Sequence, residues 1–291
     1  MINAKLAAKS HLHHQTIVKL SEQVSFGGIQ LVIIGGPCAV ESKEQMETVA
    51  QKLSTAPVQA LRGGVYKPRT SPYAFQGMGE EGLKILAGVR SRYNMPVVTE
   101  VMSISQIEAI AAHADMLQVG SRNMQNFDLL KALGQAGKPI LLKRGLAATI
   151  EEFIMAAEYI LSNGNPDVVL CERGIRSFDN YTRNVLDLGA VAALKQITHL
   201  PVIVDPSHAV GKRELVAPVA KAAIACGADG LIIECHPEPE QSVSDARQAL
   251  SLEDMVSLVN SLKPVAAAVE RNISEELGVG LEPAPLCLSA A

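Results

Sequence analysis

Eight short apolar runs recur along this 291-residue chain, separated by longer amphipathic stretches. They begin near Leu31 (LVIIGG), Val58 (VQALRGG), Pro96 (PVVTEV), Asp115 (DMLQVG), Pro139 (PILLKRG), Asp167 (DVVLCERG), Pro201 (PVIVDPSH) and Asp229 (DGLIIECHP). Each run is apolar on both parities. A strand reads this way when both faces are buried, as in a parallel sheet covered by helices. The segments between predict helices. One opens at Ser42 as N-cap, with Glu44 and Glu47 early, and others cover 79–93, 103–113, 126–133, 149–161, 182–197, 212–226 and 252–262. Eight strands alternating with eight helices are the count of a closed α/β barrel, the (β/α)8 or TIM barrel. An open doubly wound sheet usually has fewer strands, and no GxGxxG follows the first one.

Before the first run, residues 16–30 alternate around Gly27-Gly28, which predicts a β-hairpin capping the barrel bottom. The chain thus divides into an N-terminal extension and hairpin over 1–30, a barrel over 31–262 and a tail over 263–291. One barrel of about 250 residues accounts for most of the length. Hydrophobic residues make up 48% and charged residues 19%, which excludes a disordered chain. A net charge of -4 and 3% aromatics, with no Trp, leave neither a broad basic surface nor stacking platforms for nucleic acid. The cysteines number five, an odd count without a CxxC pair, which fits a reducing compartment better than a disulfide framework. Residues 1–14 lack the apolar core of a signal peptide, and no run of about 18 uncharged apolar residues could span a membrane. A cytoplasmic location is expected. His11, His13 and His14 read as a polar terminus.

Barrel sites lie at the C-terminal ends of the strands. In chain order those ends carry Cys38; Arg62, Lys67 and Arg69; Glu100; Arg122; Lys143 and Arg144; Glu172 and Arg173; Asp205 and His208; and Glu234 and His236, with Asp245 in the following loop. An acidic chain has gathered at least six cations around one mouth. They would repel one another unless an anion sat among them. Arg recognises phosphate bidentately and Lys supplies a point charge, so the pattern predicts a ligand with several negative charges, more than one phosphate among them.

Cys38, His208, Glu234 and Asp245 are candidate metal ligands. A thiolate, an imidazole and two carboxylates suit one first-row divalent ion per subunit, Mn, Fe, Co or Zn, with a position left for substrate or water. The first, seventh and eighth strands become neighbours when the sheet closes. His236 shares strand parity with Glu234 and competes as a ligand. Cys171 and Cys235 lie in strands and read as core.

An ordered series of motifs then carries a family resemblance over about residues 16–262. It consists of GGPCAVES (35–42), LRGGVYKPRTSPYAFQG (61–77), GSRNMQN (120–126), LLKRG (141–145), CERGIRSFDNYTRN (171–184), VDPSHAVGKRE (204–214) and the 234–245 stretch. The series resembles the 3-deoxy-D-arabino-heptulosonate-7-phosphate (DAHP) synthases, in the compact microbial form related to 3-deoxy-D-manno-octulosonate-8-phosphate synthases. The sister enzymes carry Lys-Ala-Asn-Arg where this chain has Lys67-Pro68-Arg69-Thr70, a difference that selects a four-carbon aldose phosphate. The resemblance implies condensation of phosphoenolpyruvate with erythrose 4-phosphate, dependence on a divalent metal, and a homodimer or homotetramer. It makes Cys38, His208, Glu234 and Asp245 the metal ligands. It puts phosphoenolpyruvate on Arg62, Lys67, Arg122, Lys143 and Arg173, and erythrose 4-phosphate on Arg69, Thr70 and Ser71 with Asp205 nearby. His236 joins the substrate-binding residues.

In the mechanism so implied, C3 of phosphoenolpyruvate attacks the aldehyde, Lys67 protonates the new hydroxyl oxygen, and Glu100 handles the water that adds at C2. Lys67, Glu100 and Asp205 are the catalytic candidates. Two departures stand out: Asp245-Ala246 where the family often has Asp-Gly, and Val210 where it often has Thr. The Ala246 position matters if φ there is positive. Too few residues precede the first strand for a separate regulatory domain, so no built-in feedback inhibition by aromatic amino acids is expected. On residue type alone, Lys143 also suits a Schiff-base aldolase. A catalytically silent barrel would have no need of four intact metal ligands.

Overall fold

A small antiparallel hairpin, β1 (Val18–Lys19) with β2 (Ser25–Phe26), leads into eight parallel strands. In this computed structural model, which describes residues 3–274, the eight apolar runs each form one of them. They are β3 (Val32–Gly36), β4 (Ala60–Arg62), β5 (Val97–Val101), β6 (Met116–Val119), β7 (Ile140–Lys143), β8 (Val168–Glu172), β9 (Val202–Val204) and β10 (Gly230–Glu234). The sheet closes because β10 pairs in parallel with β3, from Gly230↔Val32 to Glu234↔Gly36. The first and last barrel strands therefore meet at a seam. Around the barrel stand α1 (Lys43–Leu53), α2 (Glu80–Tyr93), α3 (Ile107–His113), α4 (Phe127–Leu133), α5 (Ile150–Ser162) and α6 (Leu188–Ile197). After β9 come a short α7 (Pro206–Val210) and then α8 (Arg213–Ala225), and α9 (Leu252–Ala268) follows β10.

Local chemistry explains most helix starts. Ser42 Oγ accepts from Gln45 N at 3.0 Å, and Thr149 forms a capping box with Glu152. Other boundaries differ from the sequence reading. Residues 182–187 are not helical: Val185 bridges to Ile175, and Asp187 caps α6 by accepting from Ala190 N at 2.8 Å. The short α7 was not expected, and α9 runs past Leu262 to Ala268. The hairpin turns at residues 20–24 and not at Gly27-Gly28. Ser21 Oγ accepts from the N–H groups of Gln23 and Val24, and this local bond sets the turn. Gly27 instead sits after β2 at φ +91, where a Cβ would lie 2.3 Å from Thr16 O. Among the described residues no helix is long and apolar enough to cross a membrane.

Strand alternation sorts the buried residues into two cores. Ile33, Leu61, Val97, Leu117, Ile140 and Leu142 pack outward with the helices. Val32, Ile34, Ala60, Val98, Met116, Leu141, Val169, Ile203 and Ile232 point inward, together with Val18, Leu20, Val24 and Phe26 of the hairpin. The hairpin thus fills the bottom of the barrel. The inward parity continues upward through Arg62, Glu100, Gln118, Lys143, Arg173, Asp205 and Glu234, all buried. Apolar burial gives way to charge along the same faces of the same strands.

Candidate active site

At the top of the barrel, one ligand atom each from Cys38, His208, Glu234 and Asp245 lie within 4.8 Å of one another. Cys38 follows β3, His208 sits on α7 beyond β9, and Glu234 ends β10, so the seam brings three of them together. Asp245 arrives on the β10–α9 loop. His208 Nε2 is 3.2 Å from Glu234 Oε1 and 3.6 Å from Asp245 Oδ2, and Cys38 Sγ is 3.2 Å from Asp245 Oδ2. The other ring nitrogen, Nδ1, lies 2.7 Å from Asp205 Oδ2. A proton on Nδ1 donated to Asp205 leaves the Nε2 lone pair directed at the cluster, the arrangement of a metal-ligating histidine.

A metal would fit these residues. Glu234 Oε1 is buried and receives no hydrogen bond of good geometry, although Arg62 Nη2 and His208 Nε2 each lie 3.2 Å away, so it keeps a lone pair for a cation. Burial pushes the His208 pKa down, but Asp205 and Glu234 outweigh it and raise it to about 10. Burial pushes Asp245 up, and His208 and Arg183 pull it well below the usual carboxylate range. Without a metal, a proton on His208 balances the acids. A divalent ion on these ligands would supply the same balance in place of that proton.

The cluster opens into a cavity of about 470 Å³, lined by Arg62, Lys67, Arg69, Arg122, Lys143 and Arg173 among others. Thr70, Ser71, Glu100 and Asp245 also line it. Lys67 Nζ donates to Cys38 O at 2.8 Å and lies 2.9 Å from Cys38 Sγ. Gly64 makes room, since a Cβ there would lie 2.9 Å from Lys67 Cδ. Gly120 does the same for Glu100: a Cβ would come within 2.0 Å of Glu100 Oε1. Lys143 Nζ bonds Asp205 Oδ2, and Arg62 Nη2 is 3.2 Å from Glu234 Oε1. Lys143 and Arg62 each keep a buried carboxylate compensated while facing the cavity.

Some residues named from sequence lie elsewhere. Arg144 and Glu172 have the opposite parity. They pair at 2.8 Å outside the barrel interior, with Arg144 also 3.1 Å from Asp187, so they anchor the loops and do not face the cavity. His236 is not among the cavity-lining residues; its Nε2 lies 3.4 Å from Glu41, and its Nδ1 accepts from Glu238 N. The positive φ in the β10–α9 loop falls on Asp245 itself, at 57°, and not on Ala246. Arg213 holds that turn by donating to Ala246 O at 3.1 Å.

Sequence reading missed four residues. Arg176 and Arg183 line the cavity from the loop after β8, and both lie inside the 171–184 motif. Gln248 Nε2 donates to Glu234 Oε2 at 2.6 Å, and its Oε1 accepts from Arg183, which also donates to Asp245 Oδ1 at 3.1 Å. One amide therefore steadies two candidate ligands. Ser244 is buried between Arg69 and Cys38. Neither Gln248 nor Ser244 carries a charge or belongs to a strand, so nothing in composition or period marks them.

Known proteins with this fold share much of this sequence. The profile of the DAHP synthetase I family matches residues 15–271. The phospho-2-dehydro-3-deoxyheptonate aldolase of Thermotoga maritima is 48% identical over 91% of this chain and 78% of its own length. Its crystal structure superposes with a TM-score of 0.90 at 45% identity, over 94% of this chain and 80% of that one. A truncated form of the Thermotoga maritima enzyme gives 0.86 at 43% identity, over 92% and 98% respectively. The 2-dehydro-3-deoxyphosphooctonate aldolase of Syntrophotalea carbinolica is more distant, 33% identical over 86% of this chain and 96% of its own length.

Proposed function

The chain belongs to the DAHP synthetase I family, and from that premise we propose that its barrel mouth condenses phosphoenolpyruvate with erythrose 4-phosphate. The products are 3-deoxy-D-arabino-heptulosonate 7-phosphate and phosphate, the first step of the shikimate route to aromatic amino acids. The observation that carries this reading is the juxtaposition of the Cys38–His208–Glu234–Asp245 cluster with a ring of buried cations in one cavity.

Each group then has work matched to its position. Arg62, Lys143, Arg173 and Arg122 neutralise the phosphate and carboxylate of phosphoenolpyruvate. Arg69, Thr70 and Ser71, on the loop at the cavity rim, receive the aldose phosphate. A divalent ion, Mn, Fe, Co or Zn, on the four ligands would supply Lewis-acid polarisation of the aldehyde. C3 of phosphoenolpyruvate attacks the aldehyde carbon, and Lys67, beside the ligand cluster, delivers the proton to the new hydroxyl oxygen. Glu100, held open by Gly120, orients the water that adds at C2. The resulting phosphohemiketal loses phosphate by C–O cleavage. Asp205 keeps His208 in its ligating tautomer and pairs Lys143. His236, turned toward Glu41, supports the β10–α9 loop in this scheme and has no direct substrate contact.

The test follows loss of enol absorbance from phosphoenolpyruvate, with and without EDTA. Consumption should require erythrose 4-phosphate, stop with EDTA and return with Mn. Consumption with arabinose 5-phosphate alone would move the chain to the octulosonate branch. Indifference to EDTA together with borohydride trapping would move the chemistry to a Lys143 Schiff base.

A further inference from the structure

Resting on the reading of Arg69 as the aldose-phosphate anchor, we propose that Ser244 is a positioning residue that couples this anchor to the thiolate of Cys38. The Ser244 hydroxyl is 2.6 Å from Arg69 Nη1 and 3.3 Å from Cys38 Sγ, and the residue is buried. Donor inventory assigns the roles. A guanidinium only donates, so the serine oxygen accepts from Arg69 and its single proton is left for the sulfur. A bond accepted from a cation polarises the O–H and makes it the stronger donor. A hydrogen bond to a metal-bound thiolate draws electron density from the sulfur and tunes what the metal feels.

The relay spans separate parts of the chain. Arg69 rides on the loop after β4, Cys38 follows β3, and Ser244 sits in the β10–α9 loop. Ser244 does not move freely with Arg69. Its carbonyl accepts from Ser242 Oγ at 2.8 Å, its own N–H donates back to that oxygen at 3.4 Å, and Glu41 accepts from Val243 N at 3.1 Å. Lys67 Nζ, 2.9 Å from the same sulfur, is a second donor that does not depend on Arg69. A phosphate that draws the Arg69 guanidinium toward itself leaves Ser244 in place and depolarises its O–H. The thiolate then becomes the stronger donor. Arrival of the aldose phosphate is thereby felt at the metal through side chains, apart from any contact its carbonyl makes.

The thiolate-to-metal charge-transfer band of the cobalt(II)-loaded protein reads this directly. Ser244→Ala and Arg69→Ala should both move the band to lower energy, and Ser244→Thr, which keeps the hydroxyl, should hold the wild-type position. Erythritol 4-phosphate, which has no aldehyde, should shift the band in the wild type and leave it unmoved in Ser244→Ala. Turnover of Ser244→Ala should fall about tenfold, as expected for loss of a partner to a metal ligand, with KM for phosphoenolpyruvate unchanged. A band that ignores Ser244→Ala, or that Ser244→Thr moves equally, overturns the coupling. The condensation assay on wild type separates the two failures: an active wild type with an unresponsive band defeats this inference alone, and an inactive wild type removes the reading beneath it.

Discussion

The two ends of the barrel are built from the same strands and are chemically opposed. On β4, Ala60 points inward at the bottom and Arg62 two residues later at the top; on β7 the pair is Leu141 and Lys143, and on β10 it is Ile232 and Glu234. Two residues along a strand is about 7 Å. Within that distance the interior changes from a hairpin-sealed apolar plug to a ring of cations and acids. The bottom gains stability from burial. The top spends some of it holding buried charges in place, as functional sites do. Each end should therefore answer to a different measurement.

The largest effects contrast the two most directly. Lys67→Ala should abolish phosphoenolpyruvate consumption while metal binding, followed by equilibrium dialysis, survives. Phe26→Ala in the hairpin should cost about 3–5 kcal/mol of stability in urea unfolding, as for a fully buried aromatic, and leave turnover per folded molecule unchanged. A Lys67→Ala protein that still turns over, or a Phe26→Ala protein with a specifically lowered kcat, would erase the division. Gly120→Ala comes next. Its methyl group would displace the Glu100 carboxylate, and a misplacement of about 1 Å costs about 100-fold in rate. Circular dichroism should show the fold retained. Unaltered turnover would take Glu100 out of the chemistry.

Gln248→Ala sharpens the comparison at the top. It should weaken metal affinity about 10- to 100-fold with little change in the melting temperature of the metal-free protein. The smallest effect belongs to the bottom. Burial pushes the Asp229 pKa up, but Lys195 and Arg271 outweigh it and hold it below the ordinary 3.8. Its contribution is complete above about pH 4 and is lost as pH falls through the depressed value. Asp229→Asn should flatten the acid limb of melting temperature against pH and leave activity at neutral pH alone. An unchanged acid limb would show that Asp229 does not carry it.

Much of this division is legible in the sequence because alternation and charge are periodic. The eight runs become the eight barrel strands, and the charged or metal-capable residue after each marks the mouth. Parity also separates Lys143 from Arg144 and Arg173 from Glu172 once the strands are fixed, but the register of a run apolar on both faces does not say which parity points in. The hairpin turn went unread because a Ser21 side-chain bond competes with the more conspicuous Gly27-Gly28. The α6 start was misplaced because residues 182–187 have helical spacing but spend their backbone on Ile175 and Ala209. Ser244 and Gln248 are uncharged loop residues whose meaning comes from contacts with Cys38 and Glu234, 206 and 14 positions away, that only the fold makes.

The seam between β3 and β10 has one more consequence. Cys38 and Asp245 are 207 positions apart and touch across it, and beneath them Arg271 donates to Ile29 O and Gly28 O while Leu31 N donates to Asn272 O. The barrel is a strip rolled into a ring, stitched at its lower edge by backbone and at its upper edge by the ligand cluster. An ion on those ligands would act as a topological clasp. It would favour the rolled form by its own binding free energy and close a loop of most of the chain, as a disulfide would.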